Sequence, residues 1–318
     1  MNLVYLQHKR PAPIPVTDSS RVLFRLGEMC NYNCPMCPVS GLKERFYHDY
    51  ENLIGKLDYL HELGVKALVV TGGEPTIHPN FEQFAQEIAN RNMTWDINTN
   101  GHGFADEKLS AYCRSMNLQR AIVSLHSHLP EVSDIIFGSR SDEHQRTCRG
   151  ISTLLSHGVE VMINCVLTKH NLETLGDFVT YLARNFSGIT SLKIAFPNDM
   201  GIGKRWEGAD IQLDSIVEPL KNAVQCAKEN NLDLHFEGIP ICIHEQTDKP
   251  NYGRSQFGET HYLDEINGRE LKQITVLERN AAYFGTQCSR CIHEAGCSGI
   301  TNQYLSQVGT NELKPYYD

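Results

Sequence analysis

Strand-like and helix-like segments alternate regularly from Arg21 to about Pro197, and this alternation limits the folds that are open to the chain. The strand-like segments are short and mostly apolar, and they lie at 22–26, 67–70, 94–98, 120–125, 160–167 and 190–196. Segments with helical periodicity fill the intervals, at 48–63, 80–92, 106–116, 144–157 and 171–185. Because parallel strands need a crossover such as a helix between them, the pattern predicts an α/β fold of repeated βα units on a parallel sheet.

Three cysteines follow the first predicted strand in the spacing Cys-x3-Cys-x2-Cys, at Cys30, Cys34 and Cys37. Thiolates this close on one loop can hold three irons of a cubane iron–sulfur cluster, and the fourth iron then stays open to a small molecule. A zinc site or three incidental cysteines is the alternative, but zinc sites usually pair Cys-x2-Cys with a second pair or with histidines. The C-terminal end of a first strand is also where an α/β barrel keeps its chemistry.

A second motif, Thr71-Gly72-Gly73-Glu74-Pro75, follows the second predicted strand directly. Two glycines allow the backbone to approach a ligand closely, and the adjacent carboxylate can accept hydrogen bonds from a ligand ammonium group. Alone, such a run is usually only a turn. Its position one βα unit after the cysteine triplet favours a place in the same site.

The cysteine triplet and the Gly-Gly-Glu-Pro run together resemble the radical S-adenosylmethionine (radical SAM) superfamily. The resemblance implies a partial (β/α)6 TIM-like barrel, with a [4Fe-4S] cluster on the three cysteines and SAM bound to the open iron through its amino and carboxylate groups. Gly72, Gly73 and Glu74 would receive the SAM amino group. Electron transfer into SAM would give a 5′-deoxyadenosyl radical, which abstracts hydrogen from a substrate.

Four further positions are SAM-contact candidates through this resemblance. The residue before the third cysteine is often aromatic in the family, and here it is Met36, whose polarizable thioether can still pack on an adenine. Thr99 and Ser124, at the ends of the third and fourth predicted strands, are candidates for the SAM carboxylate and ribose. Asn164, near the end of the fifth strand, is another. For each strand-end residue, an ordinary turn or strand-end role is the alternative.

His126 and His128 form a His-x-His pair after the fourth predicted strand. Alternation along a strand would place both side chains on one face, where they could bind a metal. A histidine that lines the pocket beside another in the loop is the expected arrangement, so we assign the pair no metal.

The last third of the chain carries a second cysteine set, Cys288, Cys291 and Cys297, with Cys242 isolated upstream. Four thiolates would complete either a zinc site or a closed [4Fe-4S] cluster, and the spacing alone does not decide between them. His293 is an alternative fourth zinc ligand.

The Cys-x2-Cys-x5-Cys spacing of this second set resembles the start of the SPASM/twitch auxiliary-cluster motif. The position of the last cysteine of that motif carries Thr301 instead. The resemblance therefore implies one auxiliary [4Fe-4S] cluster, on Cys242, Cys288, Cys291 and Cys297, in place of a full SPASM domain with two.

The composition limits which partners and which cellular compartment we expect for the protein. The chain has 29 basic and 38 acidic residues, a net charge of −9 that argues against a nucleic acid partner. It shows no membrane-spanning apolar run and no signal peptide, and eleven cysteines without an export signal favour metal or redox use. We expect a cytoplasmic protein with three parts, namely an extended Pro-rich arm (1–20), a radical SAM core (21–200) and a C-terminal auxiliary-cluster region (201–318) that includes a helix at 212–230.

The resemblance predicts a radical SAM enzyme that modifies a peptide or an amino-acid-derived natural-product precursor. It further implies a flavodoxin- or ferredoxin-like electron donor. One alternative is oxidation or rearrangement of a small nucleoside- or sugar-like metabolite. A second is a non-catalytic iron–sulfur electron carrier, which the Gly-Gly-Glu-Pro run argues against because a carrier needs no amino acid site.

Overall fold

The computed structural model describes residues 20–37, 39, 42–138, 142–197, 206–247, 260–264, 270–273 and 283–317. The predicted N-terminal arm lies outside these residues except for Ser20. Within the described part of the chain, no helix is both long and apolar enough to cross a membrane.

The described strands form one continuous sheet. They are β1 (Arg21–Arg25), β2 (Ala67–Thr71), β3 (Thr94–Thr99), β4 (Leu118–Ser124), β5 (Glu160–Val166), β6 (Ile189–Ala195), β7 (Asp233–Glu237), β8 (Thr260–Asp264) and β9 (Glu270–Gln273). Their order in the sheet is β7-β6-β5-β4-β3-β2-β1-β8-β9. All neighbours pair in parallel except β8 and β9, which are antiparallel. The predicted α/β fold and its six successive parallel strands are confirmed.

Helices connect the strands at the expected places. They are α1 (Tyr50–Glu62), α2 (Phe81–Asn90), α3 (Glu107–Ser115), α4 (Pro130–Phe137), α5 (Glu143–Ser156), α6 (Leu175–Asn185), α7 (Leu213–Glu229), α8 (Ile241–His244) and α9 (Asn302–Gln307). The six helices predicted from periodicity are confirmed, although α6 begins four residues later than expected because a 3-10 turn (Leu172–Thr174) precedes it. The short helix α4 was not predicted.

Local sequence explains several of these boundaries. Asp49 and Asp106 cap α1 and α3, because each carboxylate accepts a backbone N–H of the first helical turn. Pro130 stands at the start of α4, where its missing N–H costs nothing, and Gly138 ends that helix with a φ of +64°.

Strands β7, β8 and β9 come from beyond residue 200 and were not predicted. β7 pairs with β6, whereas β8 pairs with β1 at the other side of the six-stranded core. The later part of the chain therefore extends the sheet at both edges.

The central strands are largely buried, and β5 becomes partly exposed toward its carboxyl end. In β5, Val161, Ile163 and Cys165 are fully buried in the core, while Asn164 and Val166 on the opposite face are partly exposed. Because the core strands run in parallel, the loops that leave their carboxyl ends gather at one edge of the sheet, as in barrel enzymes. Both sequence motifs of the core lie in these loops.

Candidate active site

A buried tyrosine fixes the loop that carries the first cysteine triplet. Tyr32, between Cys30 and Cys34, is 3% exposed, and its hydroxyl lies 3.0 Å from Thr147 Oγ1 on α5. The next residue, Asn33, donates its backbone N–H to the carbonyl of Phe137 at 3.0 Å. The loop is thus tied to α4 and α5. Tyr32 was not predicted from the sequence, because an aromatic residue inside a cysteine motif gives no signal of its partners.

The three thiols of the loop are half-buried, and they lie close enough together for their charges to interact. Burial raises the pKa of the Cys30 thiol to about 11, opposed by the backbone N–H of Tyr32, which donates to Cys30 Sγ at 3.4 Å. Burial also raises the pKa of Cys34, and negative charge on Cys30 or Cys37 raises it further. Soft sulfur donors in one place suit iron–sulfur ligation, in which iron supplies the positive charge that favours thiolates. The residues present therefore fit an iron–sulfur cluster.

The double glycine lets two loops meet backbone to backbone. Gly73 donates its N–H to the carbonyl of Gly27, and Glu74 donates its N–H to that of Met29, each at 2.8 Å. A Cβ on Gly73 would lie 2.0 Å from the Met29 carbonyl oxygen, and one on Gly72, whose φ is +152°, would lie 2.5 Å from that of Gly27. The structure thus shows a close approach to the segment before Cys30, where the sequence suggested an approach to a ligand.

The Glu74 carboxylate is buried and already accepts four hydrogen bonds. Oε1 accepts from the N–H of Thr76, from its hydroxyl at 2.7 Å and from the hydroxyl of Thr99 at 2.8 Å. Oε2 accepts the N–H of Asn100 at 2.7 Å. Burial raises the pKa of Glu74, while these donors act in the opposite direction. Glu74 and Thr99, both predicted SAM contacts, therefore contact each other and join the β2 and β3 loops.

Ser124 and Asn164 lie side by side, as register partners in β4 and β5. The Asn164 Oδ1 atom is buried and has no hydrogen-bond partner among the described residues. Such an acceptor is costly to leave unpaired, so it suits a ligand that can donate to it. Met36 is half-buried in the turn between Cys34 and Cys37.

The His-x-His pair lies beyond the end of β4, in the loop that leads to α4. His126 is 2% exposed, and its Nδ1 accepts the backbone N–H of Val166 at 3.2 Å. Burial lowers the pKa of His126 to about 4, so the ring is neutral near pH 7. His128 instead packs beside Tyr181, with ring centroids 5.8 Å apart. His126 thus ties the β4 loop to β5.

The structure brings the four C-terminal cysteines together around one small cavity. Cys242 lies in α8, and Cys288, Cys291 and Cys297 lie in and after the 3-10 turn Thr286–Arg290. Cys297 Sγ accepts two backbone N–H groups, from Ile241 and Gly299, each at 3.4 Å. Burial raises the pKa of Cys288 to about 11 and raises that of Cys242. Across the described chain, no three His, Cys, Asp or Glu side chains are placed to hold a single metal ion.

Two neighbours of this second set have other partners. His293, the alternative zinc ligand, pairs with Glu245 at 3.0 Å and packs edge-on against Tyr316. Thr301, where the auxiliary-cluster motif would carry its last cysteine, caps α9 by accepting the N–H of Tyr304 at 3.2 Å. Cys242 is therefore a better candidate for the fourth ligand than His293 or Thr301.

Comparison with known proteins gives a family match and more distant likenesses. The family model described as Radical SAM superfamily matches residues 24–182, which is half of the chain. A probable GTP 3',8-cyclase of Sulfurisphaera tokodaii is 25% identical over 200 residues and covers 62% of the chain. The antilisterial bacteriocin subtilosin biosynthesis protein AlbA of Bacillus subtilis is 26% identical over 262 residues and covers 78%.

Among solved structures, Streptococcus suis SuiB bound to the precursor peptide SuiA matches 69% of the chain, with a TM-score of 0.53 and 18% identity. This likeness concerns the fold alone and agrees with the predicted TIM-like partial barrel. The chain spans 62% of the cyclase, 54% of AlbA and 48% of SuiB, so each is longer than the part matched here.

Proposed function

The chain belongs to the radical SAM superfamily, and we propose that it is an enzyme that cleaves SAM reductively and abstracts hydrogen from a peptide or amino-acid-derived substrate. The observation that carries this proposal is the direct contact between the Gly-Gly-Glu loop and the segment that leads into Cys30, at Gly27 and Met29. It places half-buried thiols and a candidate amino-group site on adjoining backbones. When bound, the [4Fe-4S] cluster and SAM supply the 5′-deoxyadenosyl radical.

The residues of the core would divide the work. Cys30, Cys34 and Cys37 would hold the cluster, and the Gly72–Glu74 segment would receive the SAM amino group. Since the Glu74 carboxylate already accepts four hydrogen bonds, its contribution would be to hold that segment against β3 through Thr99.

Ser124 and Asn164, the partly exposed register partners of β4 and β5, would take polar groups of SAM. The unpaired Asn164 Oδ1 supports this role. Met36, in the turn of the cysteine loop, would pack on the adenine.

The C-terminal region, residues 201–318, would hold a second [4Fe-4S] cluster on Cys242, Cys288, Cys291 and Cys297. Their place around one cavity supports this assignment. The cluster would take an electron from a substrate radical or position the substrate. A flavodoxin- or ferredoxin-like protein would supply the electron for SAM cleavage.

Two substrate classes have support from the comparisons. Similarity to AlbA, a bacteriocin biosynthesis protein, covers 78% of the chain and so must reach beyond the core match that ends at residue 182. SuiB, whose fold is similar, was solved with a precursor peptide. A nucleotide such as GTP is the second candidate, because the probable GTP 3',8-cyclase is similar over 200 residues. The longer match favours a peptide.

The test is anaerobic incubation of iron-loaded protein with SAM, a reductant and either candidate precursor peptides or GTP. We expect 5′-deoxyadenosine to form and a peptide to change mass, while GTP stays intact. Cys34→Ala should abolish 5′-deoxyadenosine formation, and Cys226→Ala, a cysteine on α7 away from both sets, should not. Undiminished cleavage in Cys34→Ala would refute the assignment, and conversion of GTP alone would replace the peptide by the nucleotide.

A further inference from the structure

Asn100, the residue that follows β3, contacts several parts of the candidate site through its backbone and side chain. Its N–H donates to Glu74 Oε2 at 2.7 Å, and its carbonyl accepts from Thr147 Oγ1 at 2.8 Å. Its side-chain Oδ1 accepts the backbone N–H of His102 at 2.9 Å. With only 8% of its surface exposed, Asn100 is held in a single orientation between the Gly-Gly-Glu loop and α5.

The Asn100 amide nitrogen faces the cysteine loop. Nδ2 donates to Asn31 Oδ1 at 2.8 Å and lies 4.0 Å from Cys30 Sγ. The orientation of the amide follows from its partners, because the backbone N–H of His102 can only donate and so must meet the oxygen. An amide nitrogen carries two hydrogens, so it can serve Asn31 and Cys30 together.

A hydrogen bond from this amide would act on the electronic state of a cluster held by Cys30. An N–H directed at a cluster sulfur stabilises the more negative, reduced form, and such bonds are one of the factors that set reduction potentials. The same residue holds Glu74 through its backbone. Asn100 thus contacts Cys30, on the cluster side of the candidate site, and Glu74, in the candidate amino-group site.

We propose that Asn100 is a positioning residue that couples the Gly-Gly-Glu loop to the cysteine loop and raises the reduction potential of the cluster through its contact with Cys30. The inference rests on the proposed function, since it needs a cluster on Cys30, Cys34 and Cys37. It adds that the side chain of Asn100, at the end of β3, helps to set the potential at which the cluster can deliver an electron to SAM.

The test compares reduction potentials in anaerobic, iron-loaded protein. Potentiometric titration is followed by EPR, and the first cluster is recognised by the change that added SAM causes in its signal. Asn100→Leu and Asn100→Asp should each lower the ratio of reduced to oxidised cluster at a fixed potential by about tenfold, the effect of one lost charge-assisted hydrogen bond. Asn31→Ala removes only the competing acceptor and should not lower the ratio.

Iron content and a charge control make the outcomes distinct. Asn98→Asp places the same charge two residues earlier on β3, so an equal fall in that variant, with no fall in the uncharged Asn100→Leu, overturns the proposal in favour of a general charge effect. Wild-type potentials in Asn100→Leu or Asn100→Asp at unchanged iron content also overturn it. If Asn100→Leu loses its iron, Asn100→Asp, which keeps the acceptor for His102, decides. A wild-type protein without a SAM-responsive cluster would instead refute the proposed function itself.

Discussion

The two cysteine sets differ in what holds them. The first lies on one loop, which backbone hydrogen bonds join to the Gly-Gly-Glu loop and which Tyr32 joins to α5. The second draws Cys242 from the four-residue helix α8 and the others from a stretch of 3-10 turns, with backbone N–H groups directed at Cys297. The first is built into the edge of a large sheet, and the second is assembled from short segments far apart in sequence.

Two sites with the same thiol ligands can therefore differ in how much their local structure depends on the bound metal. Loops fixed by a packed sheet keep their shape without a ligand, whereas short segments from distant parts of the chain, linked by few backbone bonds such as those between Tyr283 and Ile300, gain order from a metal that binds them. We therefore expect the first site to tolerate loss of its iron and the second to depend on it.

The largest expected effect separates the sites chemically. Two [4Fe-4S] clusters correspond to about eight iron atoms per chain. The triple variant Cys288→Ala, Cys291→Ala and Cys297→Ala should keep about half of the iron and still cleave SAM, but form no peptide product. Iron and sulfide analysis with mass spectrometry checks this. One zinc and about four iron atoms in the unmodified protein would turn the second set into a structural zinc site.

A pair of glycine substitutions should break the first site and spare the second. Gly73→Ala forces a Cβ to within 2.0 Å of the Met29 carbonyl, whereas a Cβ on Gly296 meets no atom within 4 Å. We expect Gly73→Ala to lose about 3 kcal/mol of stability and roughly a hundredfold in SAM affinity. Gly296→Ala should stay within about 0.5 kcal/mol of the unmodified protein. Denaturant unfolding measures the stability and calorimetry measures SAM binding, and equal effects of the two substitutions would contradict the expected difference between the two sites.

A smaller effect is expected at the buried carboxylate. Glu74→Gln replaces one acceptor oxygen by an amide that donates, so a donor will face a donor, at a cost of about 2 kcal/mol. SAM affinity should fall roughly tenfold while iron stays bound. Glu82→Gln, on the exposed face of α2, is the matched control. Unchanged stability and affinity would reduce Glu74 to an ordinary turn residue.

The smallest effect belongs to the second region. Thr301→Ala removes the cap of α9 and should lower the free energy of unfolding by about 1 kcal/mol, without altering SAM cleavage. Thr301→Ser keeps the hydroxyl and should behave like the unmodified protein. A loss of SAM cleavage in Thr301→Ala would mean that α9 influences the SAM site, through contacts such as that of Tyr304 with Phe196.

The sequence predicted the core because its signals are local. Periodicity located β1 to β6 and the helices α1, α2, α3, α5 and α6 within a few residues. Cysteine spacing located the triplet at 30–37 and the set at 288–297, and the family resemblance added Cys242. Strands β7 to β9 were missed because each is only four or five residues long and rich in polar side chains, so a partner strand, not propensity, makes them strands.

The residues that support the site were harder to predict. Tyr32 and Asn100 are defined by partners far away in sequence, Thr147 for the tyrosine and Glu74 for the asparagine. Tyrosine and asparagine residues occur in many turns and cores, so the residue types alone do not indicate these roles. The role of Glu74 was also hard to predict. The sequence suggested that its carboxylate binds a ligand, whereas in the structure it accepts four hydrogen bonds from the protein.

The pairing of β1 with β8 has a consequence for biosynthesis. Arg21 pairs with Thr260, so β1, the first strand of the described chain, is synthesised long before the strand that covers its second edge. Until then it presents an unpaired strand edge, the kind of surface that templates aggregation. Such long-range closure also slows folding. A chaperone that shields β1 during synthesis should therefore raise the yield of folded protein.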